Sequence, residues 1–141
     1  MGTVRTTRAF LPYFRERRSG LFINTVSIGS RVALSFNSSY IATKWATEGW
    51  GEAMSFALAP FGIGIKTVLP GGMNTDFFGS MVIGHHLAYE ADADRILSAF
   101  RDPKSANYSS PEQIAKVIYE AAIDGKDQLI YVAGDDAKDW V

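Results

Sequence analysis

Leu21-Phe22-Ile23-Asn24-Thr25-Val26-Ser27 and, thirteen residues after that serine, Tyr40-Ile41-Ala42-Thr43-Lys44 are the two stretches on which the reading of this chain turns. The first is an apolar run of the kind that forms a buried strand, and it delivers a serine hydroxyl to the loop beyond it. The second sets a tyrosine and a lysine four apart, on one face of a helix. A free tyrosine titrates near pH ~10 and a free lysine near ~10.4, but an ammonium beside a phenol favours the phenolate. Tyr40 could then move a proton near neutral pH. Ser27, whose hydroxyl both donates and accepts, could steady the oxygen that receives it. In an open α/β sheet ligands collect at the carboxyl ends of the strands, which is where Ser27 emerges. The tyrosine and lysine alone fit better a ring packed on the sheet and a surface lysine snorkelling to water; Ser27 and the strand before it tip the reading toward chemistry.

Outward from this centre, helices and strands alternate as a parallel α/β sheet requires. Residues 2–18 read as a helix with Arg15, Arg17 and Arg18 near a C-terminus closed by Gly20. Residues 21–26 are a continuous apolar strand, the pattern of a central one. A polar loop over 28–38 leads to a helix over 39–59, ended by Pro60 and Gly62, and then to a strand over 63–69 closed by Pro70. Ser110, an N-cap followed by Pro111 at the first helical position, opens a helix to about 124, and 128–132 is a last short strand. Residues 71–107 are long and weakly patterned, with one helix over 91–100. Long stretches of this kind inside compact domains tend to be lids or binding loops.

Four segments together resemble the short-chain dehydrogenases/reductases. They are Asn24 to Val32, like that family's serine segment; Tyr40 to Lys44, its Y-x-x-x-K signature at the family's interval; Leu58-Ala59-Pro60-Phe61-Gly62-Ile63; and Pro70-Gly71-Gly72-Met73-Asn74-Thr75, similar to its P-G-x-x-x-T loop. The resemblance implies an NAD(P)-dependent oxidoreductase that moves a hydride between nicotinamide and a carbonyl/alcohol substrate. By it, Ser27 would polarise the substrate oxygen, Tyr40 would be the general acid/base, and Lys44 would support the tyrosine and bind the nicotinamide ribose. Thr75 and the Pro70-Gly71 backbone would contact the nicotinamide end, and the cofactor would be NAD or NADP. Residues 71–107 would close over substrate, with Phe77, Phe78, Met81, Val82, Leu87 and Tyr89 either lining a pocket for an apolar or aromatic body or only packing the loop.

The family's glycine-rich pyrophosphate turn has no counterpart here, and neither do its Asn-Asn-Ala-Gly strand end and its helix asparagine. The expectation is a single, incomplete Rossmann-type domain over 1–141, the C-terminal part of a doubly wound parallel sheet whose cofactor-binding N-terminal half is absent, on the order of 100 residues. Such a chain alone should be inactive, because the pyrophosphate has no helix N-terminus to bind. The alternative is a truncated, non-catalytic module that only self-associates.

Composition bounds the rest. With 141 residues and 47% hydrophobic content, the chain is long enough for one domain core. A net charge of −1 provides no electrostatic footprint for nucleic acid or an anionic membrane. Zero cysteines exclude a disulfide scaffold and a thiolate zinc site. Without an apolar leader or spanning run, the location expected is cytoplasmic. Trp45, Trp50, Met54 and Phe56 are more apolar surface than one sheet-facing helical stripe needs. They fill the core or meet a second copy, and the resemblance implies the latter, a homodimer or tetramer. His85-His86 lack further ligands at zinc spacing, and Asp92, Asp94, Asp135 and Asp136 lack the pattern of a calcium loop, so these read as polar surface and solvated carboxylates.

Overall fold

A computed structural model describes residues 2–82, 84, 86–101 and 108–141, with residues 99–101 described by backbone alone. In chain order the elements are α1 (Gly2–Arg17), β1 (Gly20–Thr25), α2 (Ser38–Leu58), β2 (Ile63–Pro70), α3 (Glu90–Arg101), α4 (Pro111–Ile123), β3 (Ile130–Ala133) and α5 (Asp135–Trp140). The expected helices and strands form, with ends displaced by one or two residues, and α5 is an addition that sequence periodicity did not indicate. All pairings are parallel, in the order β1-β2-β3. The reading of β1 as the central strand is corrected. β2 lies between the other two and is buried over nearly its whole length, whereas residues 20–23 of β1 are only half-buried.

Alternation along β2 sends its side chains to two faces. Ile63 and Ile65 meet Leu58 of α2, with Phe14 and Leu11 of α1 and Met54 against them. Val68, wholly buried, meets Ile114 and Ala121 of α4 and Tyr131 and Ala133 of β3. Helices thus cover both faces, which is the condition under which a parallel sheet is stable. α4 starts as the sequence predicts: Ser110 Oγ accepts the Gln113 N–H (3.3 Å), and Gln113 Oε1 accepts the Ser110 N–H (2.7 Å).

The face under α4 also buries a charge. Lys66, 6% exposed, donates from Nζ to Asp124 Oδ1 at 2.5 Å, and Tyr131 donates its hydroxyl to Asp124 Oδ2 at 2.7 Å. Lys66, then the Tyr131 hydroxyl and the Lys126 N–H, hold the Asp124 carboxyl well below the usual carboxylate range. A depressed carboxyl adds stability that is complete above its unfolded value and disappears as pH falls toward its folded one. Thermal midpoints should therefore drop as pH falls below about 4, and Asp124→Asn should flatten that dependence while lowering the midpoint at neutral pH. An unchanged slope in the variant would exclude Asp124 as its source.

Candidate functional site

The carboxyl end of β1 continues in register past its last residue, where the Val26 N–H donates to Val68 O at 2.9 Å. Ser27 follows, and its Oγ accepts the N–H of Gly29 at 3.0 Å while Ser30 Oγ donates to Ser27 O at 2.7 Å. These two bonds wind residues 28–30 into a tight 3-10 turn. One lone pair of the Ser27 hydroxyl is thus engaged, and its hydrogen is left for another acceptor. The turn packs against α2, and a salt bridge between Arg31 and the buried Glu48 ties the two together.

Tyr40 and Lys44 occupy the first two turns of α2. The Lys44 ammonium lies 5.4 Å from the centre of the Tyr40 ring, and burial pushes it below the ordinary lysine range. Gly29 admits the tyrosine to the serine turn. A Cβ there would stand 3.2 Å from Tyr40 Cε1, 3.4 Å from Ser27 Oγ and 3.1 Å from Ile41 Cδ1. A larger residue would wedge the helix from the turn. Ser27 and Tyr40 share no hydrogen bond among the described residues, so both hydroxyls are available to a third oxygen.

β2 ends at Pro70, and the chain turns through Gly71 and Gly72 to Thr75. Neither glycine has a left-handed backbone; each lacks a Cβ because a side chain fills that space, Asp136 at Gly71 and the Tyr108 ring at Gly72. The loop is pinned by Gly71 N–H to Ala133 O (2.9 Å), Ser109 N–H to Gly72 O (3.0 Å) and Asn74 N–H to Ser109 O (3.1 Å).

Ser27, Tyr40, Lys44, Pro70, Gly71 and Thr75, the six residues singled out from sequence, all line one cavity of about 1190 Å³. Phe77 stands edge-on to Tyr40 (5.9 Å between ring centres) and to Phe78 (5.5 Å), and Phe78 stacks on Tyr108 (5.8 Å). Phe36, in the left-handed region at φ 59°, lines the cavity too and meets Tyr89 edge-on. Met81 and Tyr89 lie along the cavity, Val82 only edges it while 99% exposed, and Leu87, 88% exposed, lies outside the lining. His86 caps a 3-10 turn, its Nδ1 accepting the Ala88 N–H at 3.2 Å, and His85 lies outside the described residues. Asp92 and Asp135 pair at the surface with Arg95 and Lys138. Asp136 is the correction among the carboxylates: it turns inward and accepts the Gly72 N–H at 2.6 Å.

A strand-end serine, a helical tyrosine-lysine pair and a proline-glycine loop thus meet at one cavity. A family model described as short chain dehydrogenase matches residues 1–84. The chain belongs to that family. It is 32% identical over 140 residues to an uncharacterized oxidoreductase of Schizosaccharomyces pombe, covering 99% of this chain and 59% of that protein. A short-chain dehydrogenase from Streptomyces avermitilis superposes with a TM-score of 0.79 at 32% identity, over 99% of this chain and 51% of that one. Another, from Burkholderia cenocepacia in complex with NADP, shares the fold at a TM-score of 0.70 and 24% identity, over 98% and 47%. The chain therefore spans about half the length of the relatives it matches, and its fold is part of their Rossmann-like α/β architecture. No helix among the described residues is long and apolar enough to cross a membrane.

Proposed function

We propose that this short-chain dehydrogenase family member is an NAD(P)-dependent oxidoreductase acting on a carbonyl or alcohol carbon through Ser27, Tyr40 and Lys44. The observation that carries the reading is the convergence of Ser27 Oγ and the Tyr40 ring on Gly29, with the Lys44 ammonium over that ring and all three at one cavity. With its lone pair engaged by Gly29, the Ser27 hydroxyl donates its hydrogen to the substrate oxygen and polarises it. Tyr40 passes its proton to that oxygen in reduction and takes it back in oxidation. The Lys44 ammonium, over the Tyr40 ring, holds the side chain beside a positive charge and binds ribose hydroxyls. The cavity suits the nicotinamide end of the cofactor: Lys44 supplies donors, and the Pro70-Gly71 backbone and Thr75 form a wall. The cofactor, NAD or NADP, would supply the hydride in its reduced form and accept it in its oxidised form.

Phe77, Phe78 and Met81 favour a substrate with an apolar or aromatic body beside its reacting oxygen. Among the described residues, however, no glycine-rich strand-to-helix turn is present to hold a pyrophosphate, so the 141-residue chain alone should bind a dinucleotide weakly and be inactive.

A second reading, a non-catalytic self-associating module, rests on apolar side chains left on the outer helices: Trp45 is 53% exposed, Phe56 72%, and Phe10 and Tyr13 54% each. One sample separates the two. Trp140 lines the cavity, so reduced cofactor should quench tryptophan emission saturably, with a dissociation constant on the order of 1 mM. A dimeric mass in sedimentation with no saturable quenching would reject the cofactor site and leave the module.

A further inference from the structure

The Pro70–Thr75 loop is held by a group that belongs to neither the serine turn nor the tyrosine helix. Immediately after β3, Gly134 at φ 107° turns the chain into α5, whose first turn brings Asp136 against Gly71 and Gly72, just past the end of β2. Asp136, in the first turn of α5, accepts the Gly72 N–H at 2.6 Å through Oδ2. Its Oδ1 is buried and has no hydrogen-bond partner among the described residues. The space for this carboxylate is made by two glycines: a Cβ on Gly71 would overlap it, and one on Gly134 would stand 2.7 Å from Oδ1. The chain thus carries two bare backbone positions, one on each side, for one acidic group. Burial and then the charge of Asp136 raise the Tyr108 phenol above its ordinary range, which agrees with a carboxylate packed close beside the ring at Gly72.

A half-satisfied buried carboxylate costs stability, so stability alone does not explain this arrangement. Its geometric result is specific. Without Asp136 the Gly72 N–H would lose its acceptor, and the turn between the end of β2 and Thr75 would lose the side-chain hydrogen bond that ties it to α5. Asp136, Ala137 and Trp140 also line the cavity that holds Ser27, Tyr40 and Lys44, so α5 is a wall of the site as well as a brace.

We propose that Asp136 is a positioning residue: its carboxylate fixes where the Pro70–Thr75 loop stands against the cavity, and thereby the affinity for the nicotinamide end of the cofactor. The second half of this statement rests on the oxidoreductase reading above, while the first does not. Two readouts keep them apart. Amide hydrogen exchange on the 141-residue chain tests the brace. In Asp136→Ala the Gly72 amide should exchange about tenfold faster or more, with the amides of β2 and β3 unchanged. Asp136→Asn, which keeps an acceptor oxygen of the same shape, should restore protection to within about threefold. An unchanged Gly72 rate, or an equal acceleration throughout the sheet, overturns the brace.

In a form of the protein that turns over a carbonyl substrate, Asp136→Ala should raise KM for reduced cofactor about tenfold and leave kcat nearly as it was, with Asp136→Asn again close to wild type. If Tyr40→Phe abolishes turnover while Asp136→Ala keeps a wild-type cofactor KM, the positioning role falls and the enzyme reading stands. If Tyr40→Phe is fully active, the role given to Tyr40 falls, and the exchange result alone decides whether Asp136 holds the loop.

Discussion

Replacing Tyr40 with phenylalanine should lower turnover by about 10²-fold or more and leave the fold intact, because proton transfer by a positioned side chain contributes on that order. Among the described residues, the contacts of this side chain are made by its ring. Phe77 meets it edge-on at 5.9 Å, Lys44 lies over it at 5.4 Å, and Gly29 leaves room for its edge. Phenylalanine keeps all three. The hydroxyl donates to nothing among the described residues, so its loss should shift the thermal midpoint little, within the range of about 0.5 kcal/mol expected where no special contact is broken. The check is kcat with reduced cofactor and a carbonyl substrate, alongside a melt by circular dichroism, in a form of the protein competent for turnover. Near-normal kcat would remove Tyr40 from the role; a collapsed melt would show that the ring contacts are not those described.

The parts of this site that sequence reveals are those written in short-range spacing. Tyr40 and Lys44 share a helix face by the period of the helix, and Ser27 follows an apolar run whose end can be counted. Pro70 and Gly71 mark a chain turn by composition. What escapes such reading is contact between segments far apart in the chain. Strand order depends on which neighbours are present, so β1 with its apolar run looked central, yet it is β2 that lies in the middle. The Arg31–Glu48 pair joins the serine turn to α2, and Lys66 meets Asp124 across 58 positions; neither charge pair follows a helix or strand period. Asp136 resembles its neighbour Asp135 in sequence, and only the turn at Gly134 aims one inward and the other at Lys138. A usable signal was present at Gly71-Gly72-x and Gly134: glycines bracketing a position where a bulky or charged group must pack. Leu87 shows the opposite failure, since apolar character alone did not place it in the cavity.

Lys44 offers the second large effect, and its sign follows from burial. The ammonium is pushed below the ordinary lysine range because half-buried surroundings disfavour its charge. A role that needs the charge is complete below the folded pKa and disappears as pH rises through it, so the loss should begin at lower pH than the ~10.4 of a free lysine would imply. Lys44→Met, which keeps the stem and removes the charge, should cost about 10²-fold in kcat/KM below the folded pKa of Lys44 and progressively less above it, since it removes both the charge over the Tyr40 ring and the donors for ribose. Lys44→Arg separates charge from shape. Guanidinium stays protonated beyond pH ~12, so the alkaline limb of the rate profile should retreat upward even if the wider head lowers the plateau by roughly tenfold. An alkaline limb that stays in place in the arginine variant would mean that some group other than Lys44 titrates there. A methionine variant with wild-type kcat/KM would mean that the ammonium over the Tyr40 ring has no part in the reaction.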